Sequence, residues 1–196
     1  MKETPIYQTL EDRQNDQEIE EHGPFFCALY DDHGRIKKGT KEPWLGEGYY
    51  FWDSRIEDAK WWGDNIYRDN GYVVYRTSYN QHSEYLFDTV GDLLSLDFLL
   101  EIANILKSRL KSERITLLRV IDFLKDNTDF ASRYKAIRVW PQPKSRKITN
   151  PDIIFQDDFF CLNKIEKVQI CFFDKTLLVK PFVKVYKSPS LNNFTV

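Results

Sequence analysis

The stretch Gly46-Glu47-Gly48-Tyr49-Tyr50-Phe51-Trp52-Asp53, continued by Ser54-Arg55-Ile56-Glu57-Asp58-Ala59-Lys60-Trp61-Trp62-Gly63, decides how this chain is read. It predicts a tight glycine turn, a short aromatic strand and a helix over about 54–67 that starts at an Asp/Ser cap. Strand alternation puts Tyr50 and Trp52 on one face and Tyr49 and Phe51 on the other. Trp61 falls about two turns into the helix, where it packs back on its own strand. Glycine lets a flat ligand approach the main chain, and two aromatic rings beside such a turn can hold a planar, partly charged ring such as nicotinamide. The plainer alternative is that these aromatics are core.

Outward from this stretch, a length of 196 residues suits one domain, 1–196, with its own hydrophobic core. Aromatics make up 15% of the chain and are spread along it, so most belong to the interior. A net charge of −2 excludes a generally basic nucleic-acid binder and leaves only a local patch. Arg133, Lys135, Arg138, Lys144, Arg146 and Lys147, interleaved with Tyr134 and Trp140, are such a patch or a solvated loop. The three cysteines, Cys27, Cys161 and Cys171, have apolar flanks and no metal-knuckle spacing, which points to reduced, buried thiols. No apolar run approaches the roughly 18 residues of a membrane span, and the N-terminal residues lack a signal-type core, so a cytoplasmic protein with no membrane partner is expected.

The remaining elements follow from local pattern. Residues 1–22 form a polar N-terminal segment, and Phe25 to Tyr30 a buried strand. Tyr72–Thr77 is strand by β-branched and aromatic content, with a short strand near Tyr85–Asp88. Ser95 caps a helix to about Lys111, with Leu96, Leu99, Leu100, Ala103 and Leu106 inward. A second helix runs from about Glu113 to Lys125, with Ile115, Leu118 and Phe123 inward, so 95–126 reads as a helical insert. Residues 136–140 form a strand, 141–151 a proline-rich basic loop, and the last third is β-rich around 153–155, 168–173 and 182–186. Strands, a helical insert and further strands make an α+β fold.

Gly46-x-Gly48-x-Tyr50-Phe51-x-Asp53 followed by Ala59-x-Trp61 resembles the NAD-binding core of diphtheria-toxin-type ADP-ribosyltransferases, the family of poly- and mono-ADP-ribose polymerases and related bacterial toxin domains. The specific match covers roughly residues 46–62. The resemblance implies split antiparallel sheets around an NAD cleft, NAD as substrate, and transfer of ADP-ribose to a protein or nucleic-acid acceptor. It extends to toxin and phage-defence effectors of toxin–antitoxin type, with a neutralising antitoxin protein as a further partner. It implies that Tyr50 and Trp61 stack nicotinamide, with Gly48, Tyr30 and Asp58 on the cofactor side. The family's first strand ends in His-Gly. Here that strand ends Tyr30-Asp31-Asp32-His33-Gly34, and either Asp31 or His33 takes the ribose-binding place. Counting back from Asp174 puts Gln169 at the family's glutamate position. A glutamine hydrogen-bonds a ribose hydroxyl but cannot act as a base, so a catalytically inactive NAD- or ADP-ribose-binding or protein-interaction module of the same fold is the alternative to a transferase.

Overall fold

The alternation of Ile6, Gln8 and Leu10 with Tyr7 and Thr9 has the period of a strand, and Thr4–Glu11 forms β1. The computed structural model describes residues 3–29, 33, 43–141, 153–154, 161–162 and 165–189. After β1 come α1 (Asp16–His22), β2 (Tyr49–Asp53), α2 (Ile56–Ile66), β3 (Tyr72–Tyr79), β4 (Leu86–Asp88), α3 (Leu93–Leu110), α4 (Leu117–Asn127), α5 (Phe130–Arg133), β5 (Ala136–Val139), β6 (Ile153–Ile154), β7 (Cys161–Leu162), β8 (Gln169–Phe172) and β9 (Leu178–Lys187). Seven strands make one sheet in the order β4-β5-β8-β2-β1-β3-β9, and β6 and β7 pair separately. Only the β4–β5 pairing is parallel within the sheet. The fold is α+β, with a mostly antiparallel sheet.

The two halves of this sheet meet through a short ladder between β1 and β2. β1 pairs with β3 over eight registered positions, but with β2 only at Ile6↔Asp53 and Tyr7↔Trp52. Beyond Tyr7 the strands part, and the Gln8 side chain fills the gap. Its Nε2 donates to the carbonyls of Phe25 (3.1 Å) and Tyr50 (3.3 Å), and its Oε1 accepts from the Phe25 N–H (3.0 Å). The amide thus behaves like a peptide group of the missing strand pair, which is how a buried glutamine is satisfied. Cys27 then bridges Gly48 through two backbone hydrogen bonds.

The sheet's faces are dressed differently. On one, Phe51, Ile170, Phe172, Tyr75 and Tyr79 pack with Ile19 of α1 and Phe182. On the other, α2 covers β1 and β3 through Ala59, Tyr72 and Val74, while α3, α4 and α5 cover β4, β5 and β8 through Leu99, Ile121, Leu124 and Phe130. Tyr50 and Trp52 lie on this second face, where the two groups of helices meet.

Several expectations need correction. Residues 1–22 are not a peripheral segment: β1 sits inside the sheet and α1 packs against its face. Phe25–Leu29 is no sheet strand, because only Cys27 forms a bridge; this strongly apolar pentapeptide packs beside the β1–β2 junction. The helix after β2 has Arg55 as its N-cap, with no side-chain cap bond, since Asp53 is drawn inward by an arginine. Leu100 is 52% exposed, and α4 turns Val120, Ile121 and Leu124 inward, with Ile115 and Phe123 only half-buried. Arg138 is buried, and Lys135 lies 3.6 Å from Asp174, so neither contributes to a basic surface; Lys144, Arg146 and Lys147 fall outside the described residues. Among the described residues no helix is long and apolar enough to cross a membrane.

Candidate functional site

Two glycines shape the entry to β2. Gly46 has φ of +91°, a left-handed conformation that favours glycine. Gly48 is required by contact: a Cβ there would lie 2.5 Å from both Cys171 Sγ and the Phe172 carbonyl oxygen. The turn they create folds over Tyr50. The phenol donates to the Gly46 carbonyl and accepts from the Leu45 N–H, both at 2.8 Å. Burial, the largest influence, pushes the Tyr50 phenol far above its ordinary pKa. With both contacts of its hydroxyl made to the turn, Tyr50 offers the wall of its ring, the stacking part that the resemblance implies for it.

Trp61 stands on α2, 41% exposed, with its ring edge-on to Trp52 at 6.2 Å and 88°. Trp62 completes a three-indole cluster, 5.8 Å from Trp52 and 6.5 Å from Trp61. The Lys167 ammonium lies 3.7 Å from the Trp61 ring centroid, an arrangement of cation–π type. Tyr50 belongs to the packing cluster under α4 and Trp52 to the one under α2, so Trp52 stands between the two rings that the sequence paired.

Gln169 is brought to the same place by register. β8 pairs with β2 such that Gln169 is directly opposite Trp52, and directly opposite residues share a face. The Gln169 Oε1 accepts from the Trp44 indole N–H at 2.7 Å. The other half of the amide carries two N–H donors and no acceptor.

Asp58 is not a ligand-facing group. It is 4% exposed, and its carboxylate accepts the backbone N–H of Lys167 at 2.7 Å. Burial raises its pKa, against the opposing pull of that hydrogen bond and of Arg55. Its effect is mechanical: it ties α2, which carries Trp61, to the segment leading into Gln169. Arg55 reaches Asp58 at 3.7 Å and Glu166 at 3.7 Å, with its Nε buried and lacking a hydrogen-bond partner. His33 is exposed in a turn, while Tyr30 and Asp31 lie outside the described residues. In the sheet, β2 lies between β8 and β1, and it is Ile6 and Tyr7 of β1, not the 25–29 segment, that pair with it on that side.

At the far end of β2, on the opposite face, is an ion triad that the sequence reading missed. Arg138 Nε and Nη2 donate to Asp53 Oδ2 at 2.8 and 2.7 Å, and Nη1 donates to both Asp88 oxygens at 3.1 Å. Tyr79 donates its hydroxyl to Asp53 at 3.2 Å. Burial alone would lower the Arg138 pKa, but the two carboxylates outweigh it and the guanidinium is held charged. The triad locks the end of the aromatic strand to β4 and β5. Trp44, Trp52 and Lys167 were also not singled out; an isolated tryptophan beside Pro43 in a polar loop was the available signal for Trp44. Among the described residues no group of three or more histidines, cysteines or carboxylates is placed to hold a metal.

No protein-family model, no curated protein and no solved structure matches this chain.

Proposed function

We propose that this chain is an ADP-ribosyltransferase-like protein that binds NAD on the Trp61–Trp52–Gln169 face and transfers ADP-ribose to a macromolecular acceptor. The observation that carries the reading is the β2–β8 register: it sets Gln169, which the resemblance assigns to the reactive ribose, opposite Trp52, whose ring in turn meets Trp61. Trp61 supplies a half-exposed ring for nicotinamide, and the wall of Tyr50 stands on the same sheet face. Lys167 and Arg55 are the cations at hand for the pyrophosphate. In the reaction the bond between nicotinamide nitrogen and ribose carbon breaks, neutral nicotinamide leaves, and an acceptor oxygen or nitrogen adds to the oxocarbenium-like carbon. The Gln169 N–H donors orient a ribose hydroxyl oxygen, and the proton released by the acceptor goes to solvent water.

A second reading is favoured by that same glutamine, fixed by Trp44 as a donor with no carboxylate: a module that binds NAD or an ADP-ribosyl group without turnover. The two separate on incubation with labelled NAD and cell lysate. Nicotinamide release and label transfer, both lost in Trp61→Ala and Gln169→Ala, support the transferase. A rise in Tm with NAD and no release supports the binding module. Neither effect removes both. A protein or nucleic-acid acceptor, a neutralising antitoxin and a role as a toxin or defence effector belong to this proposal, and the chemistry of the labelled product identifies the acceptor class.

A further inference from the structure

Helix α3 carries six of the eleven large apolar side chains exposed among the described residues: Leu93, Leu94, Phe98, Leu100, Ile105 and Leu110. α4, next to it, buries its apolar stripe. Three of the six, Leu94, Phe98 and Ile105, project within about 40° of one another around the α3 axis at the helical period, as an apolar ridge that Glu101 interrupts between Phe98 and Ile105. The ridge runs into a recess of about 480 Å³. Leu94 and Phe98 form one wall of it, with Phe87, Phe130 and Tyr134 as an aromatic floor and far wall. Phe87 meets Phe98, Phe130 and Tyr134 edge-on at 6.3, 5.1 and 5.1 Å, so the floor is rigidly packed.

The charges around this surface have one dominant sign. Asp97 and Glu101 are exposed, one turn apart, the first alongside the ridge and the second within it. Asp92 and Asp129 stand exposed on the recess. Asp92 is held ionised, with hydrogen bonds from the Ser95 hydroxyl and the Leu94 N–H lowering its pKa. The opposing cations are Arg133, itself 5.1 Å from the Tyr134 ring, and Arg109, exposed one turn beyond Ile105 at the C-terminal end of the ridge. An apolar ridge ending in an aromatic socket, with four carboxylates against two guanidinium groups, is complementary to an amphipathic helix with apolar knobs at i, i+3/i+4 and i+7 and a row of lysines or arginines beside them.

We propose that the α3–α5 surface is a docking site for a basic amphipathic helix of a partner protein, whose apolar anchor fills the recess lined by Phe87, Phe98 and Phe130. The site lies on β4, β5 and their helices, apart from the Trp61–Gln169 face, and stands whether or not the chain binds NAD. A displayed library of helical peptides, randomised at apolar and charged positions, is selected against the intact protein. The expected result is enrichment of Lys or Arg beside the apolar repeat, with binding of a selected peptide weakened at least tenfold by Leu94→Asp and by Asp97→Lys/Glu101→Lys, and weakened by added salt. Leu94 is 79% exposed, so its variant folds as the parent does, and unchanged circular dichroism checks this. Selection of acidic or uncharged peptides, no selection at all, binding indifferent to these substitutions, or a dimer of the chain in solution that Leu94→Asp dissolves would each overturn the proposal, the last by assigning the face to a second copy.

Discussion

Replacing Arg138 by methionine removes four short contacts at once and leaves two carboxylates behind. Asp53 is 1% exposed in its side chain and would keep only the hydroxyls of Tyr79 and Ser54, both at 3.2 Å. Asp88 is better placed: it is 14% exposed and retains the N–H groups of Val90 (2.9 Å) and Gly91 (3.0 Å). The cost therefore falls mainly on Asp53. Breaking a buried pair by removing one partner costs about 3–5 kcal/mol, because the remaining charge is stranded. For a chain of this length each kcal/mol moves Tm by about 2–4 °C, so Arg138→Met is expected to unfold roughly 6–20 °C below the parent. The double variant Asp53→Leu/Arg138→Met removes the stranded charge and recovers most of this loss, since replacing an entire buried pair with apolar groups is close to neutral. Thermal and urea unfolding followed by circular dichroism give both numbers. A loss below about 1 kcal/mol for the single variant, or a double variant no more stable than the single, would refute the reasoning. Asp53 directly follows Trp52, so the single variant should also weaken any ligand held by that strand.

Three other outcomes follow from the geometry. Gln169→Glu keeps an acceptor for the Trp44 N–H and adds a base, so nicotinamide release from NAD should rise by about 10²-fold; an unchanged or lower rate contradicts the role given to this position. Gly48→Ala forces a methyl group against Cys171 and the Phe172 carbonyl and should cost about 1–3 kcal/mol in urea unfolding, whereas a neutral effect would show that β2 and β8 can separate freely. The hydrogen bonds from Lys184 and Tyr75 hold the Asp16 pKa below the ordinary carboxylate range. Its stabilising contribution is thus present above the unfolded-state value and lost as pH falls through the folded one, below about pH 4; Asp16→Asn should flatten that part of the stability–pH curve.

The sequence disclosed what is local. The aromatic strand, its following helix and the split of faces between Tyr50/Trp52 and Tyr49/Phe51 are set by periods of two and 3.6, and all are present. Gln169 also stood out, as a polar residue in an apolar strand. What was hidden depends on distant pairing. β1 is mixed in polarity, and its place in the sheet comes from pairing with β3, some 70 residues away. Phe25–Leu29 looks more like a strand than β1 does, yet the Gln8 amide takes up the backbone groups of Phe25 that a strand would pair. Asp53 resembled a helix cap and Arg138 a surface charge; 85 residues separate them, and only the β2–β8–β5 arrangement joins them. Leu100 fits a helical repeat, but the narrow strip of α3 that meets the sheet leaves it outside.

The most direct test of the central claim is calorimetric titration of NAD into the parent protein and into Trp61→Ala, a substitution at a 41% exposed position that spares the core. The account predicts saturable one-to-one binding that weakens at least tenfold without the indole. The absence of binding to the parent, or equal affinity in the two proteins, would contradict it.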